Sequence, residues 1–345
     1  MRAFVLVAFL LTVQTAAGQG LGRGTAERPV TDWPFADPDS LGLDAAALQE
    51  HAERCAASHA SACVVAYRGF IVQEWYAESF PGEPVVMQPW IGTRSATKSL
   101  VGLLTGILVD EGMVESIDEP IARYLPEWEA GVDAGVTLRH LLSMTSGVAR
   151  NPPGTRGPGV VAARNLDEFV LALPLDTIPG VRWNYSNESA QLLSPLLERA
   201  AGMPLAAFAR ERLFDPIGMR TTTMLVDEYY NTVTIGGTET RVREFARLGQ
   251  LLLNSGDWNG ETVVSQSWLE TMLTPSPLNE YYGLTWWLHA DDGAVAAAGT
   301  FDQILYVFPE LDLVTMRLQR DGPQGPVRYW DAETRSIIRR IVPQD

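Results

Sequence analysis

The chain has 345 residues, 46% hydrophobic and 20% charged, enough to bury a sizeable core in one large domain or two. Its 10 Trp, 10 Tyr and 11 Phe exclude a mainly disordered chain. With 26 basic residues against 42 acidic ones the formal charge is −16, which repels phosphate backbones and excludes nucleic acid as an expected partner.

Arg2, an apolar run over 3–13 and Ala16-Ala17-Gly18 have the order of an export signal, so 1–18 is expected to be a signal peptide. The run is short for a membrane span, and its plainer alternative is a buried N-terminal helix. Once the signal is removed, no other segment has the apolar length of a span, and a periplasmic or secreted location follows. Residues 19–40 carry Pro29, Pro34 and Pro38 and read as a linker or wrapped arm. A helix is expected over 44–57, capped by Asp44, and a hairpin of strands 62–67 and 70–76 around Arg68-Gly69. Cys55 closes that helix and Cys63 opens that strand. A disulfide clip and two reduced buried thiols both stay open.

The middle, 95–224, reads as mainly helices joined by Pro/Gly loops, the longest at 148–160. Strand signals return at 282–288, 294–298, 303–307 and 313–318, and a helix closes the chain at 331–341. The expected class is α/β (α+β). A central antiparallel sheet of about five or more strands is drawn from both chain ends and flanked by helices. The sheet domain would comprise 41–94 and 225–345, with the helical domain of 95–224 inserted.

Of the 26 basic residues only Lys98 is a lysine. A composition that uses arginine for plain positive charge keeps lysine where a removable proton matters. Lys98 follows Ser95 by three positions and precedes an apolar stretch, 100–109, that reads as a buried helix. At that spacing two side chains share a helix face, roughly 5–6 Å apart at Cβ. A desolvating site and the positive end of the helix dipole both disfavour ammonium there. A neutral amine beside a hydroxyl is an activated nucleophile pair. The alternative is an N-capping serine with a surface lysine.

Tyr185-Ser186-Asn187 precedes a second apolar helix, 191–201. Tyr185 can move protons if a neighbouring cation lowers its pKa, and Asn187 can bind substrate or bridge to the lysine. Asn187 as a plain helix cap is equally open. Ala297-Ala298-Gly299-Thr300 ends a strand of small residues where a substrate backbone can come close, and the Thr300 N–H could be a second oxyanion donor beside that of Ser95. A tightly packed strand is the alternative. Tyr229-Tyr230 and Trp286-Trp287 could line a cleft, although core packing is expected of at least one in each pair. His51, His59, His140 and His289 form no ligand pattern, so no metal is expected. GxSxG and the nucleotide-binding glycine motifs are absent, so no cofactor is expected.

Together these stretches resemble the serine β-lactamase/penicillin-binding-protein superfamily, and most of all its class C β-lactamase-like esterases and amide hydrolases. The matching runs start at Arg94 (RSATKSLVGLLTGILVDEG), Val136 (VTLRHLLSMTSGV), Trp183 (WNYSNESAQLLSPLLERAAG), Arg243 (REFARLGQLLLNSGDWNG) and Ile304 (ILYVFPELDLVTMRL). The SATKS form is also similar to the 6-aminohexanoate-oligomer hydrolase subgroup. The resemblance implies an acyl-enzyme on Ser95, with Lys98 as its base or the base's partner. It further implies proton transfer by Tyr185, substrate alignment by Asn187, and an oxyanion hole of the Ser95 and Thr300 N–H groups. β-Lactamases and D,D-peptidases usually carry a cation where Ala297 stands, and Asp302 replaces a common glycine, adding an expected negative charge near the site. Both departures favour a small ester, amide or short peptide-like substrate. A β-lactamase or D,D-peptidase, and a non-catalytic penicillin-binding-like sensor or scaffold, are the alternatives.

Overall fold

A computed structural model describes residues 33–77, 90–150, 159–320 and 322–344. The segment 1–18, the arm up to residue 32 and the middle of the 148–160 loop lie outside the described residues.

Alternating and all-apolar runs build the sheet. Its strands are β1 (Ala62–Tyr67), β2 (Phe70–Tyr76), β3 (Trp287–His289), β4 (Ala294–Gly299), β5 (Gln303–Phe308) and β6 (Leu313–Leu318). They form one sheet in the order β2-β1-β6-β5-β4-β3, antiparallel throughout. Strands from both chain ends therefore meet at the β1–β6 pair. Every residue of β1, β5 and β6 is buried, because both faces of the sheet are covered.

The helices that frame the site are α1 (Ala45–Ala57), α2 (Thr97–Asp110), α3 (Leu166–Leu171), α4 (Asn187–Gln191), α5 (Leu193–Ala201), α6 (Val242–Leu253) and α7 (Ala332–Arg340). On one face, Val65, Tyr306, Phe308 and Leu313 pack with Leu48 of α1 and Ile338 of α7. On the other, Val64, Leu305, Val307 and Val314 pack with Leu100 and Leu103 of α2 and Phe245 of α6. Neighbouring residues such as Val64 and Val65 go to opposite cores because strand side chains alternate. Asp44 caps α1 as expected, accepting from the Ala46 and Ala47 N–H groups. A disulfide joins Cys55 of α1 to Cys63 of β1.

Three expectations need correction. The run 282–288 is not one strand: only Tyr282 bridges Trp287, and β3 begins at Trp287. Thr285 interrupts it at φ +68°, with its N–H bonded to the Leu142 carbonyl and its carbonyl to the Ser99 hydroxyl. The helix expected over 191–201 is present as α5 from Leu193, while Gln191 instead closes the separate short helix α4. Tyr229 and Tyr230 are both exposed, whereas Trp286 is core and donates its indole N–H to the Ser99 carbonyl.

The β4–β5 turn holds two consecutive non-glycine residues at positive φ, Phe301 and Asp302. Arg317 of β6 clamps it. Its fully buried guanidinium donates to the Phe301 carbonyl at 2.8 Å, the Asp302 carbonyl at 2.7 Å, the Ser58 hydroxyl at 2.9 Å and Gln319 Oε1 at 2.8 Å. A fifth bond to the Ser58 carbonyl uses the last donor of the guanidinium. Arg317→Met strands those carbonyls, at about 1–3 kcal/mol for a buried unsatisfied group. Chemical denaturation is expected to show a loss of about 3 kcal/mol, and an unchanged midpoint would contradict the clamp.

Candidate active site

The apolar sequence of α2 buries it from Thr97 to Leu108, so anything on its first turn is drawn out of water. Ser95 sits on a 3-10 turn, Arg94–Ala96, that runs straight into α2. The turn is entered through Arg94 at φ +54°. Lys98 is 1% exposed. It is therefore no surface lysine, and the N-cap of α2 is Ala96, not Ser95.

The Lys98 amine has three polar neighbours. Nζ lies 3.1 Å from Ser95 Oγ, 2.9 Å from Asn187 Oδ1 and 2.7 Å from the Ile235 carbonyl oxygen. The amide and carbonyl oxygens can only accept, whereas the serine hydroxyl can also donate. A neutral amine has two N–H donors and one lone pair. With the two oxygens taking both donors, the lone pair is left for the Ser95 hydroxyl. Burial drives the amine toward that neutral state. It pulls the pKa from 10.5 down to about 7, against the opposing pull of the Glu188 carboxylate.

Asn187 reaches the lysine because it does not cap α4. Ser186 caps instead, its hydroxyl accepting from the Ser189 N–H at 3.1 Å. Tyr185 lies just before this cap and hydrogen-bonds Ser95. Its ring centroid is 5.2 Å from Lys98 Nζ. The sequence-based expectation of a lowered tyrosine pKa does not hold. Burial raises it, only partly offset by the Ser95 bond, and the neighbouring lysine is itself pushed toward neutrality. The phenol is kept as a proton donor, not as phenolate.

Gly299 ends β4 against the Ser95 turn. A Cβ there would lie 2.3 Å from the Thr93 carbonyl and 2.9 Å from the Ser95 nitrogen. Only glycine lets the strand approach so closely. Thr300 follows it and is exposed. Asp302 does not add charge to the site. Its side chain is turned to the α1/α7 side, bonded to Arg328 at 2.6 Å and to the Tyr329 N–H at 2.8 Å. Ala297 is buried in the core beneath α2.

Sequence reasoning missed three contributors. The Ile235 carbonyl is a backbone group, which no side-chain motif can flag. Its trace is Gly236, where a Cβ would come 3.3 Å from the Arg94 backbone. Glu188 tunes the lysine from one position beyond Asn187. Trp183 and Tyr282 join Trp287, which the sequence did offer as a cleft residue, in an aromatic wall around Tyr185, with Trp287 stacked on it at 5.6 Å and Tyr282 edge-on at 6.1 Å. The four histidines lie elsewhere: His140, for example, closes a capping box with Thr137.

Residues 45–336 match the family model described as Beta-lactamase, and the chain belongs to that family. The 6-aminohexanoate-dimer hydrolase of Paenarthrobacter ureafaciens is 26% identical over 71% of this chain and 69% of its own length. Esterase EstB of Burkholderia gladioli is 32% identical, but over only 53% of each chain. Among solved structures, a family VIII carboxylesterase superposes with a TM-score of 0.68 at 17% identity, covering 87% of this chain and 98% of its own. The protein is a serine hydrolase of the β-lactamase family.

Gly299→Ala forces β4 away from the Ser95 turn. A displacement near 1 Å costs on the order of a hundredfold in rate, so ester hydrolysis by this variant should fall at least about tenfold. A fully active Gly299→Ala enzyme would show that the close approach is not needed.

Proposed function

We propose that the protein is an exported esterase or amidase that works through an acyl-enzyme on Ser95. The observation that carries this reading is the arrangement at Lys98: two acceptor-only oxygens and one hydroxyl around a buried amine.

In the proposed cycle the Ser95 hydroxyl gives its proton to the Lys98 lone pair as Oγ attacks the substrate carbonyl. The Ser95 and Thr300 N–H groups receive the developing oxyanion, with Gly299 setting their spacing. Lys98, now ammonium, passes a proton through the Tyr185 phenol to the leaving group. The bond to the leaving group breaks and an ester on Ser95 remains. Water then attacks that ester, losing a proton to the same amine–phenol pair, which returns it to Ser95 Oγ as the acyl–oxygen bond breaks and the acid leaves. Asn187 holds the amine and aligns the substrate.

Ala297, in place of a cation, and the aromatic wall beside Tyr185 support uncharged or weakly anionic acyl groups over carboxylate-bearing β-lactams or peptidoglycan stems. The names of the esterase and 6-aminohexanoate-dimer hydrolase relatives support ester and amide substrates. Export is supported by the order of residues 1–18 and by the Cys55–Cys63 disulfide, which persists in oxidising compartments.

Hydrolysis of short acyl p-nitrophenyl esters tests the proposal. The wild type should turn over, and Ser95→Ala should lose about a thousandfold or more. Lys98→Arg should lose as much while staying folded, because guanidinium keeps its proton. Full activity in Ser95→Ala would overturn the reading. The acid limb of kcat/KM should rise as pH climbs through about 7, where Lys98 sheds its proton. A profile flat from pH 5.5 to 8.5 would remove Lys98 as the base.

A further inference from the structure

Gln191 closes α4 and is fully buried, and no step of the proposed cycle uses it. Its amide joins three elements. Nε2 donates to Asp167 Oδ1 of α3 at 2.9 Å and to the Thr232 carbonyl at 2.8 Å. Oε1 accepts the Thr234 N–H at 3.2 Å. The Thr234 hydroxyl adds a bond to the Ala190 carbonyl at 2.8 Å. The next residue is Ile235, whose carbonyl accepts from Lys98. The short helix α4 thus supplies one acceptor of the lysine amine and ties down the segment that carries the other. Asn187 is that acceptor, at the first position, and Ile235 is held through Gln191 at the last.

We propose that Gln191 is a positioning residue for the hydrolase: its amide pins residues 232–235 to α4, holding the Ile235 carbonyl on Lys98 and keeping water from the amine. The proposal rests on Lys98 serving as the base.

The sign of the effect follows from the magnitudes. Exclusion of water is the largest influence on Lys98 and brings its pKa from 10.5 down to about 7. Opening the segment readmits water and favours ammonium. Loss of the Ile235 bond acts the other way, but one neutral hydrogen bond is worth about one pH unit at most. The net change is upward. The charged and titratable groups facing Lys98 are Glu188 and Tyr185. Those facing Asp167, behind Gln191, are Glu198, Asp227 and Arg199.

The test uses the full chain with Gln191→Met, which keeps volume and removes every hydrogen bond. Lysine labelled with 13C at Cε gives one side-chain signal, because Lys98 is the only lysine. Its titration midpoint is expected to rise by at least about one pH unit. The acid limb of kcat/KM should move with it, kcat should fall at least about tenfold, and KM should change less than about threefold. A folded variant with the wild-type midpoint and kcat overturns the proposal. Should Gln191→Met not fold, amide hydrogen exchange of the wild type decides. Protection of the Thr234 N–H comparable to that of β5 supports the tie, and exchange within seconds overturns it. If the wild type hydrolyses nothing, the proposed function fails while the lysine midpoint still reports on Gln191.

Discussion

An amine whose charge the protein interior disfavours is the constraint from which the rest of the site follows. Taking Lys98 from 10.5 to about 7 means that the interior disfavours its ammonium by about 5 kcal/mol. That is comparable to the whole stability of a small domain. Such a group is tolerated only where the surroundings suit the neutral form. Two oxygens that can do nothing but accept, and one hydroxyl that can donate, meet that condition. Nearby Glu188 works in the opposite direction, and the resulting poise near neutrality is where a general base is most useful.

The fold assembles this environment from distant parts of the chain. Lys98 enters on the apolar helix α2, with Ser95 on the turn that leads into it, so the burial of the lysine is a by-product of the helix packing on the sheet. Asn187 comes from the short helix α4, freed for the site because Ser186 takes the cap. The 232–235 segment crosses above, and β4 closes the remaining side at Gly299. Behind β4, Arg317 secures a turn whose two left-handed residues would otherwise be unfavourable. The ion pair of buried Asp302 with exposed Arg328 belongs to that same support and not to substrate binding.

Much of this was legible from residue types alone. The antiparallel sheet drawn from both ends was readable because its strands are short apolar runs between clear turn signals, as at Arg68-Gly69. Lys98 stood out by composition and Ser95 by spacing. What stayed hidden was of two physical kinds. Backbone groups carry no identity, so the Ile235 carbonyl left no mark beyond the glycine after it. Contacts between remote segments, such as Gln191 to Thr234 or Trp287 on Tyr185, depend on tertiary packing that periodicity does not encode. The same limit misplaced Asp302. Its position in the chain is next to the site, but the left-handed turn it sits in carries its carboxylate to Arg328 and the Tyr329 N–H on the opposite face. It also misjudged Tyr185, where a cation was expected to lower a pKa that burial instead raises.

The neutral lysine can be observed without any substrate. A 13Cε-lysine label in the unaltered protein yields a single titrating signal from Lys98, and the account places its midpoint near 7. A midpoint close to the ordinary 10.5 would mean that the amine stays charged beside Ser95, and the proposed chemistry would have no base.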